Sequence, residues 1–237
     1  MNVYDKLSDT SRKKFVVLID PDKPTDEQII EIVEKSKKVG VDFFFVGGSL
    51  LLTDSLDNCI KLIKKHCDIP VLIFPGDSLQ ISKWCDGFLL LSLISGRNSE
   101  MLIGRHVVAA PYLKLYGNEI IPTGYMLIDG GCQTSVSYMS NTTPIPHDKD
   151  DIAMCTALAG EMLGLKVIYM DAGSGAINPL FALLLANNLL ARLLALLGRS
   201  AIASWPDTSI KGVLFKSASD IDKTELAVNL GAAEFIP

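Results

Sequence analysis

No excess of positive charge, no paired cysteine spacing and no uninterrupted apolar run of membrane length occur in this sequence, and each absence removes a class of function. Lys and Arg number 22 against 27 Asp and Glu, a formal net charge of -5, so there is no basic field to gather a nucleic acid or an anionic membrane. The five cysteines, Cys59, Cys67, Cys85, Cys132 and Cys155, are odd in number and widely spread. Without a CxxC or a Cys/His cluster they suit neither a disulfide framework nor a structural zinc, and they imply a reducing, cytoplasmic compartment. The amino-terminal MNVYDKLSDTSRKKF lacks an apolar h-region, which argues against secretion. His66, His106 and His147 are scattered, and no Ser/His/Asp or Cys/His arrangement gives any of them a catalytic role.

The one stretch that approaches a membrane span is Pro179–Gly198, PLFALLLANNLLARLLALLG. At 100° per residue, Asn187, Asn188, Arg192 and Arg199 fall within an arc of about 140°, the narrow wet stripe of an amphipathic packed helix rather than a span. No transmembrane segment is expected.

What is present is an alternation of short apolar runs with helical patterns. Phe15–Ile19, Asp42–Val46, Pro70–Phe74, Gly87–Leu91, Tyr125–Ile128, Lys166–Met170, Val213–Phe215 and Glu234–Ile236 read as strands. Helical patterns cover Thr25–Val39, opened by the capping box Thr25-x-x-Gln28 and stopped by Gly40, then Ser55–His66, Glu100–Tyr116, Asp150–Leu163, Pro179–Gly198 and Asp220–Leu230. Eight strands apolar on both faces, each followed by a helix except the last, predict an α/β fold, a parallel (β/α)8 TIM-type barrel. An open doubly wound sheet is the alternative, but no GxGxxG follows the first strand. With no linker or composition break before residue 178, residues 1–237 read as a single barrel domain.

Chemistry in such a barrel belongs to the loops at the carboxyl ends of the strands. Those loops carry Asp20-Pro21-Asp22-Lys23, Gly47-Gly48-Ser49, Pro75-Gly76-Asp77, Ser92–Asn98 and Asp171-Ala172-Gly173-Ser174-Gly175-Ala176. Asp20, beside a proline that stiffens its turn, suits a hard cation such as Mg²⁺ or a plain turn; Ser49 offers a second oxygen. Gly173-Ser174-Gly175 before a helix offers amides to a phosphate. Tyr169 and Asp171, two apart on one strand, point the same way. The Ser/Thr-rich segment Gly130–His147 reads as a lid or a surface excursion without an element of its own.

Taken together, these motifs resemble the geranylgeranylglyceryl phosphate synthases, especially their larger archaeal and Bacteroidetes-type group. The resemblance is dense from Phe15 to Ala176 and rests on IDPDK (Ile19–Lys23), FVGGS (Phe45–Ser49), LIFPG (Leu72–Gly76), LSLISGRN (Leu91–Asn98), PTGYMLIDGGCQTSVSYMSNTTPIP (Pro122–Pro146) and ALAGEMLGLKVIYMDAGSGA (Ala157–Ala176). It implies a Mg²⁺-dependent prenyltransferase of ether lipid biosynthesis that joins geranylgeranyl diphosphate to the free hydroxyl of sn-glycerol 1-phosphate. By the same resemblance Asp20 and Ser49 hold the metal. Tyr169, Met170, Asp171, Ala172, Gly173, Ser174 and Gly175 hold the glycerol phosphate, with Asp171 and Tyr169 catalytic. Phe74, Tyr125 and Tyr138 are candidates for the trough of the prenyl chain, and a homo-oligomer is implied.

The carboxyl-terminal quarter, residues 178–237, departs from that pattern and reads as a modified or truncated end of the barrel. With Val213–Phe215 as the seventh strand, Lys216-Ser217-Ala218 stand where the family has three glycines of its phosphate cradle, and no Gly-Asn pair follows the eighth. The alternative reading is therefore a non-catalytic barrel, natural or engineered, without a complete cradle.

Overall fold

The computed structural model describes residues 2–9, 14–173 and 214–217. In chain order these form α1 (Val3–Ser8), β1 (Phe15–Ile19), α2 (Asp26–Val39), β2 (Phe43–Val46), α3 (Leu56–His66), β3 (Val71–Ile73) and β4 (Gly87–Leu93). A π-helical turn (Glu100–Gly104) leads into α4 (Arg105–Tyr116), followed by β5 (Glu119–Leu127), α5 (Ser135–Ser140), α6 (Asp150–Met162), β6 (Val167–Asp171) and β7 (Leu214–Ser217). All neighbouring strands are parallel, in the order β6-β5-β4-β3-β2-β1-β7.

Alternate strand residues go to two different layers, as the period of two requires. Val17, Ile19, Phe44, Val46, Val71, Ile73 and Phe88 pack outward against Ile29, Val33, Ile60 and Ile63 of α2 and α3. Val16, Phe43, Phe45, Leu72, Leu89, Ile121 and Val167 form a second cluster that joins residues of β1 to β6. Strands five places apart share that cluster only if the sheet curls. The ring of Phe74, just past β3, lies 4.9 Å from that of Tyr169 in β6. A flat sheet would hold strands three places apart at about 14 Å. The sheet is thus of the TIM-barrel type, with α1 placing Leu7, Val3 and Tyr4 on the inner cluster. The carboxylate of Glu119 accepts from the Val3 and Tyr4 amides at 2.6 and 3.0 Å and fixes α1 there.

The capping box of α2 forms as expected, with Gly40 left-handed at its end. Four expectations are corrected. No helix joins β3 to β4, because Pro75 and Gly76 open a connection knitted by side chains instead of a helical ladder. β5 begins at Glu119 rather than Tyr125; Pro122 sits within it, opposite Leu90, and its carbonyl accepts from Lys166 at 2.8 Å. The segment 130–147 does hold an element, α5, capped by Thr134 with Ser137 in the reciprocal role usually played by Glu or Gln. Finally, Leu214–Ser217 pairs directly with β1, the edge expected for an eighth strand. Lys216 and Ser217 are consequently strand residues in register with Val17 and Leu18, not part of a loop after a seventh strand. The expected helices Pro179–Gly198 and Asp220–Leu230, the strand Glu234–Ile236 and Ala218 lie outside the described residues. Among the described residues no helix is long and apolar enough to cross a membrane.

Candidate active site at the carboxyl ends of the strands

Two groups of residues stand at the carboxyl ends of the strands. The first gathers the loops after β1, β2 and β3. Of the Asp-Pro-Asp carboxylates, Asp22 is committed to structure. It accepts from the Thr53 hydroxyl, the Leu52 amide and, at 2.7 Å, the Ser55 hydroxyl. These bonds, the Thr53 hydroxyl foremost, hold its carboxyl below the usual aspartate range. Asp20 instead faces the turn after β2: a methyl group at Gly48 would sit 3.1 Å from its carboxyl carbon and both oxygens. Lys23 pairs with Asp20 at 3.1 Å, and its side chain is largely exposed.

Ser49 follows Gly48, and the two are pressed from the other side by the loop after β3. A Cβ at Gly76 would stand 2.1 Å from the Gly48 carbonyl oxygen and 2.8 Å from the Ser49 Cα. Only a glycine permits that approach. Asp20 therefore stands against the same turn that carries Ser49. A carboxylate against this turn, with a serine as the next residue, fits Mg²⁺, which keeps several waters and takes oxygens from a substrate's phosphates rather than needing an all-protein cage. Among the described residues, no group of three or more His, Cys, Asp or Glu side chains is placed to hold a metal ion.

The second group lies on β5 and β6. Tyr169 and Asp171 do share a face. Tyr125, the register partner of Tyr169, stacks on it with centroids 5.4 Å apart and donates its hydroxyl to Asp171 Oδ2 at 2.6 Å. The Gly173 amide donates to Asp171 Oδ1 at 2.6 Å, so each carboxylate oxygen has one fixed donor and spare acceptor capacity. Burial, then the nearby Asp171 charge, pushes the Tyr125 and Tyr169 hydroxyls well above the ordinary phenol range. Both stay protonated, as donors rather than bases. Met170 points the other way, into the layer against α6 with Ile128 and Ala153, and offers the site only its backbone. Ala172 is buried. Ser174 and Gly175 lie outside the described residues.

Phe74 touches both groups: its ring meets Phe45 of β2 at 5.8 Å, Tyr125 at 6.0 Å and Tyr169 at 4.9 Å. Phe74 and Tyr125 thus belong to one apolar wall at the barrel mouth, whereas Tyr138 is 74% exposed on α5, whose Val136 packs on that wall. Two contributors, Thr134 and Gln80, and one role, that of Tyr125 toward Asp171, escaped the sequence reading. Tyr125 orients Asp171. Thr134 packs against Gly173, where a Cβ would meet its side chain at 2.6 to 2.7 Å. Gln80 is buried between the turns after β2 and β3. Tyr125 was legible only as a candidate for the prenyl trough and Thr134 only as part of the Ser/Thr-rich segment; Gln80 carried no signal, being a lone amide in a loop.

Residues 8–194 match the PcrB family. The geranylgeranylglyceryl phosphate synthase of Chitinophaga pinensis is 59% identical over 181 residues, 75% of this chain and 72% of that one. Among solved structures, the (S)-3-O-geranylgeranylglyceryl phosphate synthase of Thermoplasma acidophilum, in complex with its substrate sn-glycerol-1-phosphate, superposes with a TM-score of 0.72 at 32% identity, covering 82% of this chain and 77% of its own. The wild-type GGGPS of Thermoplasma volcanium gives 0.76 at 24% identity, covering 94% of each chain, and supports the fold alone.

Proposed function

Because the chain belongs to the PcrB family, we propose that it is a prenyltransferase that joins geranylgeranyl diphosphate to sn-glycerol 1-phosphate and so forms an ether lipid precursor. The observation that carries the reading is the arrangement of Asp171: a carboxylate at the mouth of the barrel, held by Tyr125 and Gly173, next to an aromatic wall. Relatives named for this activity and the substrate-bound Thermoplasma acidophilum structure support it.

In this reading Asp171 accepts a hydrogen bond from the attacking hydroxyl of the glycerol phosphate and takes its proton as the new carbon–oxygen bond forms. The allylic carbon's bond to diphosphate breaks, and the electron pair leaves with the diphosphate. The faces of Tyr125 and Tyr169 are electron-rich and suit the positive charge that develops on that carbon. Asp20 and Ser49 would hold Mg²⁺, which when bound neutralises charge on the leaving diphosphate. The loop after Asp171 would hold the glycerol phosphate, the Gly173 amide itself being given to Asp171, and Phe74 with Tyr125 lines the start of the path for the prenyl chain.

Calorimetric titration with sn-glycerol 1-phosphate tests the acceptor half directly. Saturable binding, weakened at least about tenfold by Asp171→Asn, about 1.4 kcal/mol, is the expected result. Absence of binding by the folded wild-type chain would favour instead the non-catalytic barrel with an incomplete cradle.

A further inference from the structure

We infer that Gln80 is a positioning residue for the diphosphate side of the site, a buried amide that sets where Ser49 stands relative to Asp20. The inference rests on the proposed function and deepens it.

Gln80 is 4% exposed, and its side chain uses both ends. Nε2 donates to the Gly48 carbonyl at 2.7 Å, while Oε1 accepts from the Gly48 amide at 3.3 Å and from the Gly76 amide at 3.1 Å. It thus grips Gly48 as a neighbouring strand would, on both main-chain groups, and ties Gly76 to the same point. Gly48 lies against the Asp20 carboxylate on its other side. Ser49 is the next residue, so the plane of the peptide that Gln80 holds decides the direction in which Ser49 leaves the turn.

Gln80 is itself anchored. Its amide donates to the Asp77 carbonyl at 3.1 Å, and the Asp77 carboxylate accepts from the Leu79 amide at 3.0 Å and from Arg105 of α4. A continuous set of bonds therefore runs from α4 through the turn at Asp77 to the peptide that precedes Ser49. A buried amide with three bonds to two loops is costly to place unless its geometry matters, since an apolar side chain would leave two amides and a carbonyl unpaired.

The group on β6 makes none of these contacts. Loss of Gln80 should therefore weaken the diphosphate side and spare the glycerol phosphate side, a split that general loosening of the fold does not produce. Two variants separate the bonds. Gln80→Met keeps the length and removes all three. Gln80→Glu keeps both acceptor bonds but sets a carboxylate oxygen where Nε2 donates to the Gly48 carbonyl, so that one bond is replaced by repulsion between two acceptors.

The experiment is calorimetric titration of wild type and both variants with inorganic pyrophosphate in the presence of Mg²⁺, and separately with sn-glycerol 1-phosphate, alongside thermal unfolding. The expected result is pyrophosphate affinity at least about tenfold weaker in both Gln80→Met and Gln80→Glu, with glycerol phosphate affinity within about twofold of wild type in both. Equal pyrophosphate affinity in wild type and variants, or equal losses for both ligands, overturns the inference and leaves the proposed function standing. A wild-type chain that binds glycerol phosphate but not pyrophosphate with Mg²⁺ overturns both. Should Gln80→Met fail to fold, the same comparison is decided by Gln80→Glu.

Discussion

At the scale of the residue, the chemistry of the site depends on which groups are already spoken for. Asp22 and Asp20 look alike in sequence, but Asp22 is spent on the loop that leads into α3, and Asp20 is the carboxylate left facing the Gly48–Ser49 turn. Tyr125 and Tyr169 are likewise the two buried ones among the six tyrosines, and burial raises their hydroxyls. Their linkage to stability has a definite sign. A phenol whose native value lies above its unfolded value, near about 10, holds its proton longer in the native state, so its contribution is complete below about pH 10 and is lost as pH rises further. An alkaline titration followed at 295 nm should show two tyrosines that ionise only when the protein unfolds, with the unfolding temperature falling above about pH 10. Ionisation of all six within the native state would contradict the burial described for this pair.

At the scale of the element, the active site depends on how the loops lean on one another. Gly173 has φ +83° and its missing Cβ is filled by Thr134, the cap of α5, whereas Gly117 at the end of α4 has φ +70° with nothing within 4 Å. The pair separates backbone strain from crowding. Gly117→Ala should destabilise by about 1 kcal/mol, from the left-handed backbone alone. Gly173→Ala should cost about 2–4 kcal/mol, because overpacking adds to that strain. The extra loss should appear as faster hydrogen exchange at Ser135–Ser140 with β1 and β2 unchanged. Equal effects of the two substitutions in unfolding experiments would show that Thr134 and Gly173 do not press on each other.

Much of this element scale was legible from the chain. The α2 box of Thr25 and Gln28 and the runs that became β1 to β3 follow from local pattern, since strands buried on both faces read as continuous apolar residues. α5 was missed because Ser137 does a job that the usual signature gives to Glu or Gln. The start of β5 was missed because Pro122 disguises a strand residue as a breaker. The site residues Asp20, Ser49, Tyr169 and Asp171 were named from motifs. What joins them was not, since Gln80, Thr134 and the bond from Tyr125 to Asp171 act through contacts between segments far apart in sequence.

At the scale of the whole molecule, the curl of the sheet makes one site of two groups of loops. Phe74 reaches Phe45 on one side and Tyr169 on the other, so an apolar wall links the Asp20 side to the Asp171 side. The neighbour order that sets Leu214–Ser217 beside β1 has no local signature, because strand choice at an edge is a question of which partner covers it. The central claim is that both sides act together on one pair of substrates. It is tested most directly by turnover with Mg²⁺, sn-glycerol 1-phosphate and geranylgeranyl diphosphate, with extracted lipid identified by mass spectrometry. The account predicts the prenyl ether of glycerol phosphate from the wild-type chain and its loss in Asp20→Ala at unchanged folding; no product from folded wild-type protein, or undiminished product from Asp20→Ala, would contradict it.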